Sequence, residues 1–288
     1  MKISTETASI RKHVSHAKAI EYIAKAGFDA FDFTMTEMVG VDWKERKLFT
    51  SDSPLAGNEY LKYVRELKKV ADSFGIECNQ SHAPFLAGKT NELMDYFKRS
   101  LECTKELGGK ICIIHPDNWW SAEENAQMYN KLLPYAKEYG VKIATENMWD
   151  WDYELDQATV SACSHHDDFL KHIKAVNDDY LVACVDLGHA EMRGLNTSAV
   201  EMIETLGSHV QALHIHDIDL HDDNHQIPFS LNIEYEPIVK ALKNVGYNGY
   251  FTLEASSYLT AFDESNVFEG VKDLKNAVQR LADMFESL

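Results

Sequence analysis

"ALHIHDIDLHDDNHQIP", residues 212–228, sets four His and four Asp behind an apolar run that reads as a buried strand. Whether that strand stands alone or belongs to a series decides the fold.

It belongs to a series. Short runs rich in Ile, Val, Phe and Ala predict strands over residues 2–7, 28–34, 76–82, 110–115, 141–147, 181–187, 210–216 and 250–255. Longer segments of helical period separate them, among them "NEYLKYVRELKKVADSFG" and "NAQMYNKLLPYAKEYG", and "SNVFEGVKDLKNAVQRLADMFESL" closes the chain. Gly27, Gly75, Gly109, Gly140 and Gly246 fall where helix C-caps are needed, shortly before the next strand. Eight strand–helix units in 288 residues predict an α/β fold of the (β/α)8 TIM barrel type, with residues 1–288 as one domain. A doubly wound sheet shares the alternation but opens on a Gly-rich phosphate turn, and "STETASIRKH" after the first strand is not one.

Charge narrows the partners. Twenty-eight Lys and Arg against 46 Asp and Glu leave a net charge of −18, which repels polyanions and disfavours nucleic acid. Cys78, Cys103, Cys112, Cys163 and Cys184 are odd in number and form no CxxC pair, as expected of reduced thiols. No apolar segment near the start follows a basic stretch, and no run approaches ~18 apolar residues. A cytoplasmic protein without a membrane partner is expected; whether it forms a homo-oligomer is left open.

In a barrel, chemistry gathers where the strands end. The fifth strand ends in "IATENMW" with Glu146, the sixth in "VACVDLGHAEMRG" with Asp186 and His189, the seventh with His214, and the eighth in "YFTLEASS" with Glu254. Glu146, Asp186, His214 and Glu254 are separated by 40, 28 and 40 residues, each about one strand–helix unit. Three carboxylates and one imidazole at one height suit a divalent metal ion such as Mn, Mg, Co or Zn. The third and fourth strands add His82 and His115. Trp119, Trp120, Trp149 and Trp151 offer an apolar wall beside a sugar. Asp217 is read as an acceptor orienting His214, and His216, Asp219, His221 and Asp222 as solvated loop residues.

Taken in order, "SHAPF", "IIHPD", "TENMW", "VDLGHA", "HIHD", "DDNHQIP" and "TLEA" resemble the xylose isomerase-like barrel superfamily over most of the chain. The resemblance to its isomerase and epimerase branch implies one metal on Glu146, Asp186, His214 and Glu254. It implies substrate contacts from His189 and Arg193, with His82, His115 and His225 also facing substrate. Endonuclease IV, in the same superfamily, implies a three-zinc pattern that adds His82, His115, His189, Asp223 and His225. Many members follow the Asp-x-His pair with Pro and closely spaced Gly, whereas "IPFSLNIEY" has Pro228 and no Gly.

The function this supports is a metal-dependent isomerase or epimerase acting on a small-molecule sugar or sugar phosphate. Its chemistry is proton transfer through a metal-stabilised enediolate, with Glu146 and Glu254 as the acid–base pair. Rival readings are an endonuclease IV-like trinuclear-zinc phosphodiesterase, a sugar-acid or inosose dehydratase, and a barrel that binds a sugar or metal without catalysis.

Overall fold

The computed structural model describes residues 1–288. Its barrel strands are β1 (Lys2–Glu6), β2 (Ala30–Thr34), β3 (Glu77–His82), β4 (Ile111–Ile113), β5 (Lys142–Glu146), β6 (Leu181–Asp186), β7 (Val210–His214) and β8 (Tyr250–Leu253). All eight lie in one parallel sheet in sequential order, with β1 also beside β8. The ring closes between β7 and β8 at the Ile215–Leu253 bridge, where Ile215 N donates to Thr252 O at 2.9 Å and Glu254 N to Ile215 O at 3.0 Å. Closure removes the sheet edge and leaves every strand covered on both faces, as their apolar composition requires.

Each strand leads to a covering helix: α1 (His16–Ala26), α2 (Tyr60–Phe74), α3 (Thr90–Leu107), α4 (Ala122–Tyr139), α5 (His166–Val176), α6 (Ala199–Leu206), α7 (Tyr235–Asn244) and α8 (Val267–Ser287). Helix α4 begins with a full capping box, Ser121 and Glu124 each satisfying the other's backbone N–H. Two caps fall one residue before the glycine that the sequence suggests, one of them Val245 at the end of α7, with Gly246 next at φ +72°. Gly108, at φ +87°, terminates α3, while Gly109 lies one residue beyond, against Thr104. Two adjacent glycines offer two registers, and the left-handed turn takes the first.

Two antiparallel hairpins interrupt the alternation, Gly40–Asp42 with Lys47–Phe49 after β2 and Asp150–Asp152 with Gln157–Thr159 after β5. Inside the ring the filling is divided. Ile113, Ala144, Val182, Cys184 and Ala212 form an apolar cluster, whereas Ser4, Asp32, Asn79, Gln80 and Thr252 are joined by hydrogen bonds. All five cysteines are free and buried. No helix is long and apolar enough to cross a membrane.

Tyr129 on α4 fixes the ends of β4 and β5, which carry two candidate site residues. Its buried hydroxyl donates to Ile114 O at 2.9 Å and lies 2.7 Å from the Thr145 hydroxyl. Tyr129→Phe should lower unfolding free energy by ~1–3 kcal/mol in urea titration, with an unchanged m-value. Unchanged stability would mean that this link does not hold the two strand ends.

Candidate active site

The expected residues lie at the carboxyl ends of successive strands. His82, Glu146, Asp186 and His214 are the last residues of β3, β5, β6 and β7; Glu254 directly follows β8, and His115 lies two residues beyond β4. His82, His115, Glu146 and Glu254, with His189 and Asp223, line a cavity of about 770 Å³, while Asp186 and His214 are buried behind its wall. A second cavity of about 590 Å³ opens at the other end of the barrel, near Lys110 and Tyr250, away from these groups.

The centre of the site is one imidazole. His214 Nδ1 lies 2.9 Å from Glu146 Oε1 and 3.2 Å from Glu254 Oε2, and its Nε2 lies 3.2 Å from Asp32 Oδ2. His214 and Asp32 are fully buried and Glu146 is 1% exposed. Burial works against a charged His214, but Cys184, Glu146 and Glu254 outweigh it and raise the imidazole well above its usual value. Burial also pushes the Glu146 carboxyl up, yet His214 and His115 reverse this and hold it well below the usual range. Glu254 goes the other way. Burial, opposed by His214 and assisted by Glu146, pushes it up to about 8.

Toward β3 and β4, His115 Nε2 stands 3.0 Å from Glu146 Oε2 and 2.8 Å from His82 Nε2. His82 donates Nδ1–H to Ala83 O at 2.9 Å, leaving Nε2 bare toward the site. Burial, with His115 beside it, lowers His82 to about 4.

Toward β6 a second group forms. His189 Nε2 lies 3.3 Å and His225 Nε2 3.1 Å from Asp223 Oδ2, while their Nδ1 atoms donate to Asn147 O at 2.9 Å and Glu254 O at 2.7 Å. Burial lowers His225, but Asp223 outweighs it and raises the imidazole to about 10. Asp186 accepts from His189 N at 2.7 Å and faces His216 Nε2 at 3.0 Å. The structure thus joins Glu146, His214 and Glu254 by direct contact and turns Asp186 toward His216.

Several expectations are corrected. His216 is not a solvated loop residue: it is fully buried and stacks on His225 at 3.9 Å. An added Cβ on Gly188 would come within 2.0 Å of its ring, so the glycine admits it. Asp217 does not orient His214. Its carboxylate accepts from the backbone N–H groups of Ile218, Leu231 and Ile233, each at 3.0 Å, and pins the following loop. That loop turns without glycine by placing Phe229 at φ +70°. Arg193 is exposed and outside the cavity wall. Of the four tryptophans singled out, Trp149 lines the cavity; Trp119, Trp120 and Trp151 do not. The first hairpin instead contributes Trp43 and Arg46, the latter stacked 4.7 Å over the Trp119 ring. Asp219, His221 and Asp222 form the expected loop, with the Asp219 carboxylate accepting from the other two backbones.

Three groups of donor atoms are close enough to hold a divalent cation, and Asp186 is in none of the three. His82, His115 and Glu146 form one group of atoms within 4.8 Å of one another; His82, His214 and Glu254 form another; His189, His216, Asp223 and His225 form a third. Asp223 Oδ1 is buried without a hydrogen-bond partner, which a bound cation would supply.

Comparison with known proteins agrees with this architecture. A family profile described as xylose isomerase-like TIM barrel matches residues 20–284. The uncharacterized protein MJ1311 of Methanocaldococcus jannaschii is 24% identical over 239 residues, 76% of this chain and 79% of its own. The structure of an IOLI protein with a binding zinc atom superposes with a TM-score of 0.73 at 17% identity, covering 100% of both chains. That of D-psicose 3-epimerase with D-tagatose from Clostridium cellulolyticum H10 superposes with a TM-score of 0.71 at 16% identity, covering 99% of each. With the profile spanning nearly all eight strand–helix units, the chain belongs to the xylose isomerase-like TIM barrel family.

Proposed function

We propose that this protein is a divalent-metal-dependent isomerase or epimerase of a small sugar, moving a proton at a carbon beside a carbonyl. The observation that carries the proposal is the pair Glu146 and Glu254. Both lie within 3.2 Å of one His214 nitrogen, yet one is held far below the usual carboxylate range and the other is raised to about 8. Glu146, ionised, can take a proton from the substrate carbon and, as the carboxylic acid so formed, return it; Glu254, once a bound cation has displaced its proton, can do the same from its own side.

Glu146, Asp186, His214 and Glu254 would hold the ion, with three carboxylates and one imidazole as ligands. When bound, a divalent cation supplies Lewis-acid stabilisation of the charge that develops on substrate oxygens. His189 and His225, their Nδ1 atoms committed to carbonyls and their Nε2 atoms facing Asp223, lie in the cavity wall as candidate substrate contacts. Trp43 and Trp149 give an apolar wall. Lys12 and Arg46 are the lysine and arginine in the cavity wall, so a phosphate on the substrate would be anchored there rather than at Arg193. Relatives that share the fold include D-allulose 3-epimerase from Methylomonas sp. and L-ribulose 3-epimerase, which supports a sugar substrate.

A second reading is favoured by one observation, the His189, His216, Asp223 and His225 group, which with the His82, His115 and Glu146 group matches a trinuclear phosphodiesterase. The net charge of −18 works against a DNA substrate. Metal content separates the two: near one ion per chain supports the sugar enzyme, and near three with cleavage of abasic DNA supports the nuclease.

Glu146→Gln and Glu254→Gln should each lower turnover of a responsive ketose at least about 100-fold while the circular dichroism spectrum stays unchanged. Wild-type turnover in either variant removes that residue from the acid–base pair. Metal affinity should depend on pH in a definite sense. Without metal, Glu254 keeps its proton up to about pH 8, so a cation must displace it. Affinity for Mn²⁺ should therefore rise from about pH 6 to about pH 8, with proton release in calorimetry. A flat profile over that range would contradict the assignment of Glu254 as a ligand.

A further inference from the structure

We infer that Asp32, a buried carboxylate in the middle of β2, is a positioning residue that selects the His214 tautomer and is itself aimed by Gln80. The inference rests on the metal-binding reading of the site and adds the apparatus beneath it.

The geometry begins with a rule about carboxylates. An ionised carboxylate only accepts hydrogen bonds, so His214 Nε2, 3.2 Å from Asp32 Oδ2, must carry hydrogen to bond it. A cation at Nδ1, the atom facing Glu146 and Glu254, needs a bare lone pair there. Together these requirements specify one tautomer, and Asp32 is the group that imposes it.

Asp32 is held in turn. Gln80 Nε2 donates to the same Oδ2 at 2.8 Å and approaches Leu213 O at 3.4 Å. Gln80 Oε1 receives Asn79 Nδ2 at 3.2 Å and the Thr252 hydroxyl at 3.4 Å. Acceptors face one end of the Gln80 amide and donors face the other, so its orientation is fixed by its neighbours. Asn79 is fixed as well, accepting from the Ser4 hydroxyl at 2.7 Å and donating to Thr252 at 3.1 Å.

An irregularity in the sheet makes this chain possible. Pairing of β2 with β3 runs from Phe31 opposite Cys78 to Asp32 opposite Gln80, skipping Asn79. The extra residue lets Asn79 and Gln80, neighbours in sequence, both bond into the barrel, where strict alternation would send one outward. Residues from β1, β2, β3 and β8 thereby converge on a ligand carried by β7. Barrel filling alone does not account for the carboxylate: the other half of the lumen is filled by small apolar side chains, and no Lys or Arg pairs with Asp32.

Asp32→Leu, close to Asp in shape, removes the acceptor, whereas Asp32→Asn can keep an oxygen toward His214 and Gln80. Zinc affinity, measured by chelator competition, should fall 10–100-fold in Asp32→Leu and less in Asp32→Asn. In zinc-loaded protein labelled with ¹⁵N-histidine, His214 should be the Nε2–H tautomer in wild type and Asp32→Asn, and lose that single form in Asp32→Leu. Gln80→Met, which only releases Asp32, should also weaken zinc and serves if Asp32→Leu does not fold. Wild-type affinity with a single tautomer in Asp32→Leu, or in Gln80→Met where that variant stands in, overturns the inference, as does an Asp32→Asn loss as large as that of Asp32→Leu. A wild-type chain that takes up no zinc refutes the metal-binding reading beneath it instead.

Discussion

The site depends on the His214 imidazole at the end of β7, placed among Glu146, Glu254 and Asp32 with its side chain 1% exposed. Buried carboxylates that cannot be solvated must be neutralised, paired or given a cation. The imidazole serves that need, which is why His214 is raised and Glu146 lowered. Glu254 receives less of this compensation, and burial pushes it up to about 8. The same three acids would be costly around an apolar residue.

The barrel converts this electrostatic arrangement into geometry. Parallel strands bring their carboxyl ends to one level, so residues far apart in sequence meet without long loops. Closure by the Ile215–Leu253 bridge places Glu254 beside His214. Below that level the lumen is half apolar and half hydrogen-bonded, and the polar half leads to the ring nitrogen that faces away from the mouth. Above it, the hairpin bearing Trp43 and Arg46 adds a wall that the regular strand–helix alternation lacks.

All eight strands were legible because each buried run is bounded by turn residues and helical segments, and this period sets strand order in a barrel. The strand-end residues followed from that order. What escaped did so for physical reasons. Asp32 lies mid-strand in "AFDFT", where a lone acid carries no periodic signal, and its role requires Gln80 and His214 from strands distant in sequence. His216 stands at the end of the predicted seventh strand, where the polar residues that follow suggest solvent, yet Gly188 leaves space for its ring against Asp186. Asp217 sits beside a ligand in sequence, but its carboxylate points at backbone N–H groups on the other side. The hairpin after β2 is too short and too polar to stand out from an ordinary loop.

The central claim is that Glu146, Asp186, His214 and Glu254 close around one cation. Anomalous diffraction from a crystal loaded with Mn²⁺ tests it most directly. The account predicts a peak at the end of β7 with one atom from each of the four side chains in coordination distance, His214 bonding through Nδ1. A peak confined to the His189, His216, Asp223 and His225 group, with Glu146 and Glu254 turned away from any metal, would contradict it.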